Sequence, residues 1–204
     1  MKAHAPFVKP PQKHFSTFFG IDLCFIPFGQ ILPPSPPSCY FKLNIDGSVQ
    51  GNPRKASAGG LIRNCMGTWT KDFSRSIGIT HSMAAKPWGL HDGLVLARNL
   101  SIRKLIIEID EKAVVTILKS HDDEAIYVSS MYALIFDCRS LLQSFEEAHI
   151  HHTYCEGNQC TNLLAKEGHF GSDNFNLYLQ LPSCILYQLL ADTWGVAYSQ
   201  LCIP

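Results

Sequence analysis

From Tyr40 to Asp46 apolar and polar residues alternate, with Phe41, Leu43 and Ile45 on one face and Lys42, Asn44 and Asp46 on the other. That period of two predicts a half-buried strand with Asp46 at its end on the polar face. Two more strands are expected near 57–64 and 68–76, set off by turns at Gly51-Asn52-Pro53 and Met66-Gly67. A helical stretch follows over Ser82–Asn99, and the isoleucine-rich run Lys104–Ile109 reads as a buried strand that ends at Asp110. Helices are expected over 111–119 and 129–146, a last strand over His149–Tyr154 and a last helix over Asn158–Lys166. Three strands, then helix, strand, helices, strand and helix predict an α/β fold, a mixed five-stranded sheet flanked by helices.

The pattern changes at both ends. Residues 1–39 read as a poorly ordered leader that closes in the extended, linker-like cluster Pro33-Pro34-Ser35-Pro36-Pro37. The domain itself is expected over 40–170. From 171 to 204 a tail turns apolar again, and Phe175, Leu177, Leu179, Leu181, Ile185, Leu189 and Leu190 predict that it packs back. It is expected to do so as extended chain and a short helix around Cys184–Asp192.

Within the leader Phe15–Leu32 is apolar, but Asp22 and Pro27 interrupt it and no small-residue cleavage site follows. Neither a signal peptide nor a membrane span is expected. The first 21 residues carry Lys2, Lys9 and Lys13 without an acid, which leaves an organellar transit peptide open beside a nuclear or cytoplasmic location.

Composition narrows the class. A 46% hydrophobic share of 204 residues supports a real core, and a monomer is expected. Seventeen basic and seventeen acidic side chains cancel. This argues against a pure nucleic-acid binder, whose affinity rests on phosphate neutralisation. A nuclease tolerates neutrality better, because metal ions supply positive charge at its site. The eight cysteines are dispersed without a CxxC and are expected to be reduced.

The segment Leu43-Asn44-Ile45-Asp46-Gly47-Ser48, followed by Gly51-Asn52-Pro53 and Ala58-Gly59-Gly60, resembles the first hairpin of ribonuclease H-like domains of the plant retroelement-derived type. The resemblance runs from about 40 to 170 and reaches the tail through Leu190-Ala191-Asp192-Thr193-Trp194-Gly195. It implies a ribonuclease H-like fold. It also implies cleavage of RNA in RNA–DNA hybrids by two magnesium or manganese ions about 4 Å apart, held by clustered carboxylates. Asp46 (NIDGS) and Asp110 (IIEID) match two of the family's four acids and would be catalytic and metal-ligating residues. Ser48, Asn52, Ser82 and Met83 fall where the family touches nucleic acid, although turn and cap residues need no such role.

Two positions depart from the pattern. The motif Ser82-Met83-Ala84-Ala85-Lys86-Pro87 has lysine where the resemblance calls for an acid, and Glu156-Gly157-Asn158-Gln159-Cys160-Thr161-Asn162 has asparagine. Four carboxylates would offer a charge of about −4; Asp46 and Asp110 offer about −2, and Lys86 reduces that to about −1. Lys86 is therefore either a surrogate cation between Asp46 and Asp110 or a long side chain that swings into solvent. An ammonium more than about 8 Å from both carboxylates would exclude the first. Pro87 is tolerated if it falls in the first helical turn and shifts or kinks the helix start if it lies deeper, whereas the amide oxygen of Asn162 could still ligate a metal without charge.

The remaining candidates have plainer readings. His149 and His151 face one way on a strand and His152 the other, so with Cys155 and Cys160 they make no tetrahedral zinc set. Cys155 lies where some ribonucleases H place a histidine before the last helix. Glu108 is expected to pair with a lysine, and Trp69 and Trp88 to serve the core. Three functions follow: a hybrid ribonuclease, impaired in this copy; a silent module that binds nucleic acid or protein; or a decayed retroelement fragment.

Overall fold

The computed structural model describes residues 40–51, 54–80, 82–120, 131–171 and 174–193. The leader, Asn52 and the start of the expected 129–146 helix lie outside them. β1 (Phe41–Gln50), β2 (Lys55–Arg63) and β3 (Trp69–Ile79) form an antiparallel meander. β1 outlasts its alternating stretch because its ladder with β2 continues to the Gln50–Lys55 pair. α1 (Ser82–Asn99) leads to β4 (Lys104–Ile109), which returns parallel to β1. α2 (Lys112–Lys119) and α3 (Tyr132–Leu142) follow, then β5 (Glu147–His152) parallel to β4. A 3-10 turn over Cys155–Asn158 opens α4 (Gln159–Glu167).

The tail supplies the difference from expectation. β6 (Phe175–Tyr178) pairs antiparallel with β3 from Asp72 to Arg75, and α5 (Ser183–Thr193) follows it. The sheet therefore has six strands, in the order β5-β4-β1-β2-β3-β6, rather than five. α3 also ends earlier than expected: the chain bonds Glu146 N to Arg103 O at 2.9 Å and enters β5.

One large core joins Leu90, Leu94 and Ala97 of α1 to Leu43, Ile45, Phe73, Leu105, Ile107 and Ile109 of the sheet, with α2 and α3 adding Val114, Leu118 and Ile135. A smaller core holds α4 and α5 to β2 through Leu61, Cys160, Leu164, Ile185 and Leu189. Each fully buried leucine or isoleucine contributes about 1.5–3 kcal/mol. Two glycines let the helices come flush to the sheet. A Cβ on Gly47 would stand 2.6 Å from Ala85 Cβ and 2.8 Å from the Lys86 nitrogen, and one on Gly59 2.4 Å from the Ala165 nitrogen. Glycine at these positions serves close helix approach rather than a turn. Among the described residues Cys65, Cys138, Cys155, Cys160 and Cys184 carry free thiols.

Candidate functional site

Asp46 and Asp110 meet because β1 and β4 run parallel with Ile45 opposite Ile109, so the next residue of each strand emerges side by side. Gly47 then admits the start of α1, which carries Lys86, and the 3-10 turn brings Asn162 on α4 to the same sheet end. Asn158 fixes that turn by donating its amide to the Ile45 carbonyl at 2.7 Å.

Asp46 is 3% exposed. Its Oδ1 accepts from the Gly47 N–H at 2.7 Å and its Oδ2 from Asn162 Nδ2 at 3.0 Å. Burial pushes its pKa up to about 6, helped by the neighbouring Asp110 charge, while Lys86, the Gly47 amide and Asn162 pull it back. Lys86 Nζ lies 2.8 Å from Asp110 Oδ1, 3.7 Å from Asp46 Oδ1 and 4.0 Å from Glu111 Oε2. Burial alone would lower the lysine, but Asp110, Asp46 and Glu111 outweigh it and hold its pKa above the ordinary value. The ammonium thus sits well inside the separation that the sequence set as the limit.

Pro87 lies inside α1, which runs through it from Ser82 to Asn99. Asn162 turns its amide nitrogen, not its oxygen, to Asp46. Glu111, at the start of the expected 111–119 helix, stands third around Lys86 while capping α2 through Ala113 N. The spacing of one residue after Asp110 was its only signal. Ser48 is half-buried and shares a 3.1 Å hydrogen bond with His169 Nε2, a histidine that sequence reasoning passed over. Asn52 lies outside the described residues. Ser82 and Met83 open α1, and only their place in the helix is described.

The other candidates are structural. Glu108 accepts from Lys42 Nζ at 2.7 Å and Asn44 Nδ2 at 2.9 Å, away from Asp110's partners. His149, His151 and His152 are exposed on β5, the first two with ring centroids 6.5 Å apart, and Cys160 is buried under α5. Trp88 lies under the Arg75 guanidinium at 4.5 Å, and Trp69 packs against the smaller core.

The fold family implies two divalent cations, and the donor set does not fit them. Magnesium needs oxygens at about 2.0–2.1 Å in near-octahedral array. Here an ammonium occupies the space between the two carboxylates, and among the described residues no three His, Cys, Asp or Glu converge to hold a metal. A unit charge about 4 Å away costs roughly 4 kcal/mol at an effective dielectric near 20, and a divalent ion would feel twice that.

Comparison with known proteins places this geometry. A family model described as "Reverse transcriptase-like" matches residues 44–168. An Arabidopsis thaliana protein named "Putative ribonuclease H protein" is 32% identical over 161 residues, 79% of this chain. The chain spans only 26% of that relative's length. Ribonuclease H1 of the halophilic archaeon Halobacterium salinarum matches with a TM-score of 0.58 at 20% identity, covering 64% of this chain and 98% of that one. The compost-derived LC11 ribonuclease H1, solved with an RNA/DNA hybrid, matches with a TM-score of 0.54 at 17% identity over 62% of this chain and 94% of its own. At such identities the solved structures establish the fold, and the family match establishes membership: the chain belongs to the reverse transcriptase-like family and carries its ribonuclease H-like domain.

Proposed function

We propose that this chain is a ribonuclease H-like module that engages RNA–DNA hybrid without cleaving it efficiently. The single observation that carries the reading is the Lys86 ammonium, 2.8 Å from Asp110 and 3.7 Å from Asp46, where the family chemistry calls for metal ions. Asp46 and Asp110 keep the positions of two catalytic acids, but both are engaged by side chains of the protein itself. Hybrid binding is supported by the fold shared with a ribonuclease H1 solved on such a hybrid. With equal numbers of acidic and basic side chains, affinity is expected to be weak and its salt dependence shallow.

The test is cleavage of a labelled RNA–DNA hybrid in magnesium or manganese. The native chain runs beside a Lys86→Glu, Pro87→Leu, Asn162→Asp variant, with Asp46→Asn as control. The native chain is expected to leave the hybrid intact and the triple variant to cut it. Native cleavage that disappears in Asp46→Asn would show that two family acids suffice, and the reading fails.

A further inference from the structure

Two separate features could keep divalent ions out: the loss of two acids, or the presence of the lysine. The geometry assigns exclusion to the lysine. We propose that Lys86 is the resident cation of this site, and that neutralising it alone, with no acid restored, opens a site for a hard divalent cation. The inference rests on the reading of a non-cleaving site and sharpens it by naming which residue is responsible.

Three carboxylates reach the one ammonium: Asp110 Oδ1 at 2.8 Å, Asp46 Oδ1 at 3.7 Å and Glu111 Oε2 at 4.0 Å. They outnumber it, so the cluster holds excess negative charge even with the lysine in place. Glu111 lies outside the matched acid positions and is the most exposed of the three, its side chain 39% accessible against 4% for Asp46 and 11% for Asp110. It is therefore the acid freest to turn inward once the ammonium is gone. Magnesium and manganese sites often use one or two carboxylates and complete the shell with water. Asp46 and Asp110 meet that minimum, and Glu111 would supply a third oxygen donor only on turning inward, since with the lysine in place the three acids do not converge closely enough to hold a metal.

Asn162 is compatible with this. Its amide donates to Asp46 Oδ2 and leaves Oδ1, the oxygen nearer Lys86, turned toward the ammonium. Gly47 N–H also approaches Oδ1 and would orient it in either state.

The experiment titrates Mn2+ into native, Lys86→Ala, Lys86→Gln and Lys86→Arg chains, following free Mn2+ by electron paramagnetic resonance. Circular dichroism checks each fold. Lys86→Ala and Lys86→Gln are expected to bind Mn2+ at least about tenfold tighter than the native chain, a conservative share of the effect of one charge a few ångströms away. Lys86→Arg, which keeps the cation, is expected to match the native chain. Adding Glu111→Gln to Lys86→Ala should then weaken binding about tenfold. Equal Mn2+ affinity in native and both neutral variants overturns the inference, as does tight binding by Lys86→Arg. If Lys86→Ala does not fold, the Lys86→Gln comparison decides alone. Hybrid cleavage by the native chain would sink the proposed function whatever the Mn2+ data show. Silence from the native chain with no gain in the neutral variants would sink only this inference.

Discussion

Asn162 donates to Asp46 Oδ2 at 3.0 Å, where an aspartate would offer a second negative charge and no proton. That contact is one of three that stabilise the ionised form of a carboxylate which burial and Asp110 already push up to about 6. Asn162→Asp in the native background should therefore cost stability, about 1–3 kcal/mol for the lost donor and the new repulsion. The sign with pH follows. The added acid and Asp46 compete for ionisation only once both have lost their protons, so the penalty is small at low pH and grows as pH rises past the raised Asp46 titration. Urea midpoints of native and variant should nearly coincide at about pH 4 and separate by about pH 8. A constant gap would mean that the cost comes from packing, not from Asp46. The substitutions at 86 and 162 were legible in the sequence because the motifs around them fix the register. What Lys86 reaches was not, since a four-carbon stem can point into solvent as easily as at Asp110. Glu111 escaped notice for a related reason: its neighbour Asp110 explained the motif, and a helix-capping acid needs no second role.

α1 joins the site to the large core, and Pro87 is its weak point. The helix runs through the proline, whose missing N–H cannot bond the Met83 carbonyl four residues back. Its own carbonyl instead receives the Cys138 thiol at 3.8 Å, a weak contact from α3. An interior proline costs an exposed helix about 3 kcal/mol, and part of that is offset here by burial against neighbours. Pro87→Ala is expected to raise stability by about 1–2 kcal/mol, or roughly 2–8 °C in melting temperature for a domain of this size. Calorimetry checks it, and a lower melting temperature would show that the ring's packing outweighs the helix penalty. At this scale the sequence was a good guide: β1 to β4, α1, α2 and α4 lie close to where periodicity put them. The misses have separate causes. β6 has only four residues, too few for alternation to separate a strand from extended chain, and α3 ends at Leu142 though helical pattern persists beyond it.

The whole molecule depends on how the tail covers the sheet. β6 and α5 lie beyond residue 168, where the family match ends, yet they bury Ile185 and Leu189 against Leu61, Cys160 and Leu164. Arg63 of β2 pairs with Asp192 of α5 at 3.4 Å and with Asn44 at 2.8 Å, which ties the tail to the central strand. Beside this cover lies Asp72 of β3, 0% exposed, with neither carboxylate oxygen in a hydrogen bond to any described residue. Burial pushes its pKa up to about 7; the Trp69 indole and Lys71 lower it from nearby without closing a hydrogen bond of regular geometry. The folded chain therefore holds a proton that the unfolded chain, at an ordinary value of 3.8, has already released. Between those values the folded state binds more protons, so stability falls as pH rises from about 4 and levels off above about 7. The shift is worth at most about 4 kcal/mol, and Asp46 adds a smaller loss of the same sign. Asp72→Asn keeps the shape and removes the titration. It should match the native chain at about pH 4 and exceed it by roughly 2–4 kcal/mol at about pH 8, read from urea unfolding. Because Tyr178 of β6, Cys160 of α4 and Cys184 of α5 all lie close enough to feel this carboxylate's charge, amide exchange in α5 should quicken with pH in the native chain beyond the intrinsic rate and not in the variant. Equal pH slopes for the two chains would mean that Asp72 stays ionised in the fold, with a partner it gains from the solvent.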